Sequence, residues 1–270
     1  MIQPLLAGAA LGVRFLRYWF RAGTAHGLHA PFVFDLYTLV IRHDGAFAPF
    51  APIEARRAAL RADRRPLAVR DYGAGSRVAT TAPVRPRTVG QIARTAAKPA
   101  KYAQLLFRLA NHFQARRILE LGTSFGLTTA YLAAADSRAR VVTLEGDPAS
   151  AAIARETFAG LKLTNIALRE GEFSQTLDHV LTRLDGPLDL VFFDGNHRYE
   201  PTLDYVRRCL PHRHAETVFV LDDIHWSPEM ARAWEVVKAL PEVTLTVDLF
   251  AVGLVFFRPN ASKQHFTLWL

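Results

Sequence analysis

The stretch Arg117-Ile118-Leu119-Glu120-Leu121-Gly122-Thr123-Ser124-Phe125-Gly126 constrains the fold of this chain more than any other. Apolar residues at Ile118, Leu119 and Leu121 predict a buried strand, and the small and apolar residues from Leu127 to Ala135 predict a helix packed on it. Between them, Gly122 permits a turn that a side chain would obstruct. Both glycines let backbone N–H groups approach a ligand where the helix dipole is positive, which suits a nucleotide-like molecule. The dinucleotide pattern G-x-G-x-x-G is broken by Ser124, which weakens a pyrophosphate reading. A second strand, Val141 to Glu145, ends in an acid nineteen residues past Gly126, where a carboxylate can accept both hydroxyls of a ribose.

A second cluster follows. Leu188 to Phe193 is apolar nearly throughout, as expected of a strand covered on both faces, and it delivers Asp194, Gly195, Asn196 and His197 to the carboxyl end of a sheet. Val218 to Leu221 delivers Asp222, Asp223 and His225 to the same edge. Three carboxylates at one rim repel each other unless a cation neutralises them, so Asp194, Asp222 and Asp223 are expected to ligate a Mg²⁺-like ion. Asn196 and His225 are alternative ligands, and an Asp/His pair at each strand end also suits a transition metal. Against this stand plainer roles: Asp222 as a helix cap, Asp194 as a cofactor contact. His197 reads as a general base or as a helix-start hydrogen-bonding group.

The segments ILELGTSFG, TLEGDP, REGEF, LVFFDGNHRYE and VLDDIHW, in this order, resemble class I S-adenosylmethionine-dependent methyltransferases, most of all the metal-dependent O-methyltransferase branch. Within it, the D-G-x-H run and the paired acids are similar to catechol O-methyltransferase-like enzymes and to sugar O-methyltransferases of macrolide biosynthesis. The resemblance covers roughly Lys98 to Arg258. It implies a Rossmann-like α/β fold whose seven-stranded, mostly parallel sheet ends in an antiparallel strand, the closing hairpin being Val243 to Asp248 and Val252 to Arg258. It implies that Glu120, Gly122, Thr123, Ser124, Gly126, Glu145, Gly146 and Asp194 bind S-adenosylmethionine, with Gly171, Glu172 and Phe173 at the adenine. His197 stands where catechol-type enzymes carry lysine and macrolide sugar enzymes carry histidine, so with Asp194 it would be catalytic. Methyl transfer to a hydroxyl of a small molecule, assisted by a divalent ion, is the implied activity. RNA or protein methylation and a non-catalytic cofactor-binding module are the alternatives; DNA is not expected as a partner.

The charge is divided within the chain. Residues 1 to 116 hold 18 Lys and Arg against 5 Asp and Glu, a surplus of +13, whereas the whole chain carries +8. We read residues 1–97 as a basic, mainly helical extension and 98–270 as the cofactor-binding domain. The extension docks on the acidic domain, attracts an anionic substrate, or meets RNA or a membrane surface. Its first helix is amphipathic and basic: Leu5 to Val13 is apolar but too short to span a bilayer, and Phe15, Tyr18, Trp19 and Phe20 alternate with Arg14, Arg17 and Arg21. The run from His26 to Phe34 looks like an extension found in uncharacterised bacterial methyltransferases; His26 and His29 read as turn residues, pocket lining or a metal pair. Helices are predicted over Pro31 to Ile41, Glu54 to Arg65 and Lys98 to Phe113. The Asp71 to Ser76 loop is an anion nest without a strand before it. A single Cys209 excludes an internal disulfide framework and fits a reducing cytoplasm. Assembly into an oligomer is compatible with all of this.

Overall fold

The computed structural model describes residues 2–69, 87–259 and 262–270. The Asp71 to Ser76 loop and the connector up to Pro86 lie outside the described residues. In chain order the elements are α1 (Ile2–Arg21), α2 (Pro31–Asp35, continued by a π-turn over Leu36–Ile41), α3 (Phe50–Ala62), β1 (Pro66–Leu67), β2 (Arg87–Thr88), α4 (Val89–Ala96), α5 (Ala100–His112) and β3 (Arg117–Leu121). Then come α6 (Leu127–Ala134), β4 (Arg140–Glu145), α7 (Pro148–Gly160), β5 (Ile166–Glu170), α8 (Phe173–Leu181), β6 (Leu188–Phe193), α9 (Tyr199–Cys209), β7 (Arg213–Asp222), α10 (Pro228–Ala239), β8 (Leu245–Asp248), β9 (Val252–Phe256) and β10 (Gln264–Thr267). This alternation of strand and helix is Rossmann-like. Packing density divides the chain into two units, Asp44–Asp189 and Met1–His43 with Leu190–Leu270.

In the Asp44–Asp189 unit, β3, β4 and β5 pair in parallel, with Leu119 opposite Val142 and Val142 opposite Ala167. Asp189 fixes the start of β3: its Oδ2 accepts from the N–H groups of Arg116 and Arg117, at 2.8 and 2.7 Å. Local signals that end and start helices are satisfied where the sequence offers them. Thr88 and Gln91 cap α4 reciprocally, and Asp147, before Pro148, accepts from the Ser150 N–H to cap α7. Helix α3 keeps one solvated face and buries the other, where Phe50, Ile53 and Leu60 join a core with Phe107 of α5 and Leu127 and Tyr131 of α6. Polar ties reinforce that packing. Tyr131 donates to Glu54 Oε1 at 2.7 Å, Arg57 donates to Glu54 and to the Lys98 carbonyl, and Arg65 makes a two-pronged contact with Glu156 at 2.9 and 2.8 Å. Part of the basic surplus is thus answered by carboxylates inside this unit.

In the other unit, β6 lies beside β7, β9 runs antiparallel to both β7 and β8, and β10 pairs in parallel with β8. Among the described residues the strands of the large sheet therefore number eight rather than seven, and the antiparallel one, β9, is not the last. The strand missed by the sequence is β10. Its Gln264-His265-Phe266-Thr267 carries one apolar residue, so it shows neither the alternation nor the apolar run of a strand. Helix α1 docks through its carboxyl half: the Tyr18 hydroxyl donates to the Leu268 carbonyl at 2.5 Å, and Arg14 Nε donates to the His225 carbonyl at 2.8 Å. Tyr18, Phe250 and Trp269 rings close the contact. Cys209 is buried, as a small apolar side chain should be. Among the described residues no helix is long and apolar enough to cross a membrane.

Trp234 of α10 is buried against β9 at Gly253, where an added Cβ would stand 2.6 Å from two ring carbons. That contact leaves room for no other residue. Gly253→Ala is expected to lower stability by about 1–3 kcal/mol, as overpacking does. Urea denaturation measures it, and a variant as stable as the parent would contradict the packing described.

Candidate functional site

The glycine turn belongs to the Asp44–Asp189 unit. Gly122, Ser124 and Gly126 all adopt positive φ, at 110°, 48° and 77°, so three of its five residues are left-handed, and Ser124 does so with a side chain. One carboxylate bonds to it directly, and a second reaches it through the Thr143 and Thr123 hydroxyls. Glu145, at the end of β4, accepts the Ser124 N–H on Oε2 at 2.7 Å and the Asp147 N–H on Oε1 at 2.9 Å. Glu120 is fully buried, and its Oε2 accepts the hydroxyls of Thr129 at 2.5 Å and Thr143 at 2.7 Å. Thr123 joins the same group, its hydroxyl 2.6 Å from that of Thr143.

The turn's N–H groups were expected to face a ligand, but most are used within the protein. Those of Gly122 and Thr123 reach the Leu144 carbonyl, and that of Gly126 reaches the Thr123 carbonyl. Gly126 is required for packing as well as for its φ, since a Cβ there would lie 2.5 Å from Phe158 of α7. What the turn offers a ligand is therefore its shape together with Glu145, whose oxygens each keep a lone pair beyond the backbone bond they accept. Gly146 follows directly. The Gly171 N–H donates to the Glu145 carbonyl, Glu172 is the exposed residue that begins α8, and Phe173 is half-buried in its first turn. An open cleft in this unit lies elsewhere, rimmed by Arg117, Arg140, Arg169 and Arg183 with His179. Two of these arginines start β3 and β4, the opposite strand ends from Gly122 and Glu145.

The acidic rim belongs to the other unit. Asp194 and His197 follow β6, with Nε2 of the histidine 3.5 Å from Oδ1 of the aspartate, and Asp222 ends β7 as a buried carboxylate. These three residues each offer one ligand atom, and the atoms lie within 4.8 Å of one another. Asn196, between Asp194 and His197 in the sequence, keeps a carbonyl oxygen, Oδ1, that is buried without a hydrogen-bond partner. Two carboxylates, an amide oxygen and an imidazole are donors that fit a divalent cation. Positive φ recurs here, at Asn196 (68°), His197 (32°) and Asp223 (53°), and it aims the short loops after the strands.

Two residues expected at this cluster are not in it. Neighbouring residues leaving a strand point to opposite sides, so with Asp222 turned inward Asp223 is not among the grouped ligand atoms. His225 is held differently: its Nε2 lies 2.7 Å from Oδ2 of Asp248, and its ring stacks on Phe250. Helix α10 is capped by Ser227, whose side chain accepts from the Met230 N–H, so Asp222 does not cap it. His26 and His29 are exposed and fall in no such group among the described residues. Trp226 is exposed and Trp234 is core. The sequence did not single out Thr129 and Thr143, whose signal was their recurrence opposite a buried acid.

Comparisons with known proteins agree with this architecture. Residues 119–224 match a family model described as a methyltransferase domain. Catechol O-methyltransferases of Niastella koreensis and Mycobacterium tuberculosis are 33% and 36% identical over 126 and 127 residues, 46% of this chain in each case. The matched segments span 55% and 56% of those relatives, so this chain corresponds to little more than half of their length. Among solved structures, the O-methyltransferase of Bacillus cereus in complex with S-adenosylhomocysteine superposes with a TM-score of 0.56 at 20% identity, covering 81% of this chain and 94% of that one. The resemblance read from the motifs is borne out: the fold is that of class I methyltransferases.

Burial pushes the Glu145 carboxyl above its ordinary range, against the lowering effect of the backbone N–H groups it accepts. A raised carboxyl favours the folded state when protonated, so its contribution is present at low pH and is lost as pH rises through the folded-state value. The stability of Glu145→Gln relative to the parent should therefore increase between pH 4 and pH 7. Urea denaturation at both ends tests this, and a pH-independent difference would contradict it.

Proposed function

We propose that this chain is an S-adenosylmethionine-dependent O-methyltransferase that methylates a hydroxyl of a small molecule with the help of a divalent ion. The observation that carries the reading is the grouping of Asp194, His197 and Asp222 at strand ends, within a segment that matches a methyltransferase domain. Glu145 receives the ribose hydroxyls, the glycine turn accommodates the methionine end, and Gly171, Glu172 and Phe173 border the adenine. Glu120 positions that turn from beneath. Asp194 and Asp222 hold the ion, with Asn196 in the place the sequence assigned to Asp223. When bound, the cofactor supplies a methyl group activated on a sulfonium, and the ion supplies positive charge that acidifies a hydroxyl beside it. His197 takes the hydroxyl proton, and its closeness to Asp194 favours the imidazolium that results. Much of the rate enhancement then comes from holding donor and acceptor in line. The reducing cytoplasm is the compartment this chemistry suits.

The test is methyl transfer from S-adenosylmethionine to catechol, chosen because the matched relatives carry that name. Turnover should need Mg²⁺ and stop with EDTA. His197→Ala should lower kcat by about 10²–10⁴-fold, the usual size of a general-base effect, while calorimetric affinity for S-adenosylhomocysteine is retained. Unchanged turnover in that variant would end the base assignment. Methylation of RNA with no transfer to any small hydroxylated acceptor would move the activity to the alternative class.

A further inference from the structure

Helix α1 turns its apolar side away from the unit it belongs to. At 3.6 residues per turn, Leu11, Arg14 and Tyr18 share the docked side, where Tyr18 is buried. The opposite side carries Val13, Leu16 and Phe20, which are 50%, 55% and 84% exposed, and it is bordered by Trp19, 53% exposed, whose ring edge also meets Trp269. A helix on the surface of a globular protein normally shows the reverse arrangement, with polar residues outward. Large apolar side chains recurring on one exposed face are a contiguous patch rather than scattered surface residues.

The charge around this patch selects what covers it. From Ile2 to Arg21 there is no Asp or Glu, and from Ile2 to Val13 no charged residue at all. The exposed Arg17 and Arg21 flank the apolar face at its carboxyl end. We propose that this face of α1 lies on an anionic lipid surface, with Leu16, Trp19 and Phe20 in the boundary between headgroups and acyl chains. Arg17 and Arg21 reach lipid phosphates from the edge of that face. Aromatic rings favour this depth, because they combine a large apolar body with a polarisable face, and arginine stems run along it while the guanidinium stays at the phosphates. A second copy fits less well. A two-fold contact between α1 helices brings arginines from both copies to an interface to which the helix contributes no carboxylate.

The full chain is mixed with vesicles of phosphatidylcholine alone, or with phosphatidylglycerol included, and floated on a density gradient. It should rise with the phosphatidylglycerol vesicles, with a blue shift of tryptophan emission, and remain below with phosphatidylcholine. Leu16→Glu/Phe20→Glu should abolish flotation. Arg17→Glu/Arg21→Glu, which leaves the apolar face intact, should weaken it by about ten-fold, as should high salt. Circular dichroism melts identify variants that remain folded. The proposal is overturned if the parent stays below with both vesicle types, or if both variants float as the parent does. It is equally overturned if sedimentation finds a dimer that Leu16→Glu/Phe20→Glu dissolves while no vesicle binds.

Discussion

The carboxylate of Glu120, sealed in the interior between β3, β4 and α6, is the constraint on which the glycine turn depends. A carboxyl buried in such a place is tolerated only when hydrogen-bonding groups surround it, and two threonine hydroxyls, one from the helix and one from the neighbouring strand, are aimed at it. Because those donors come from different elements, the acid fixes the spacing of strand and helix at the point where the chain must turn through three left-handed residues. The strain of that turn persists because Glu120 from below and Glu145 from the side both restrain it. Most of the N–H groups of this loop are committed to the protein itself.

Much of this was legible in the residue order. Strands β3, β4 and β6 followed from apolar runs, and helix α6 from the glycine positions before it; the Asp147 cap of α7 was found only in the structure. The pairing of Asp194 with Asp222 followed from two buried strands ending in acids. What escaped the sequence was of two kinds. Polar β10 is a strand only because β8 offers it an edge, and α3 is core only because α5 and α6 bring Phe107 and Tyr131 against it; both are tertiary effects that local pattern does not encode. The second kind is direction. Which of Asp222 and Asp223 turns inward, and that His225 pairs with Asp248, depends on strand-end geometry and on backbone angles invisible in a string of letters.

The two units carry different parts of the chemistry. One shapes the glycine turn and holds the Glu145 carboxyl beside it, and the other groups the oxygen and nitrogen atoms of Asp194, His197 and Asp222. The surplus of positive charge near the start of the chain has no single purpose. Arg57 and Arg65 are consumed by carboxylates of their own unit, and Arg14 anchors α1 on the carbonyls of His225 and Trp226. Arg14 therefore ties the amphipathic helix to the loop that follows Asp222 and Asp223. Whatever rests on the outer face of α1 is mechanically connected to that loop.

The measurement that reaches the centre of this account removes two of the hydroxyls that serve Glu120 without changing side-chain shape. In Thr129→Val/Thr143→Val the carboxyl stays buried but loses both threonine partners, each worth about 0.5–1.5 kcal/mol. Urea denaturation should show that loss, and calorimetric titration with S-adenosylhomocysteine should show weaker binding in the variant that remains folded. Stability and affinity both equal to those of the parent would mean that the buried acid does not hold the turn, and that the cofactor reading rests on the wrong foundation.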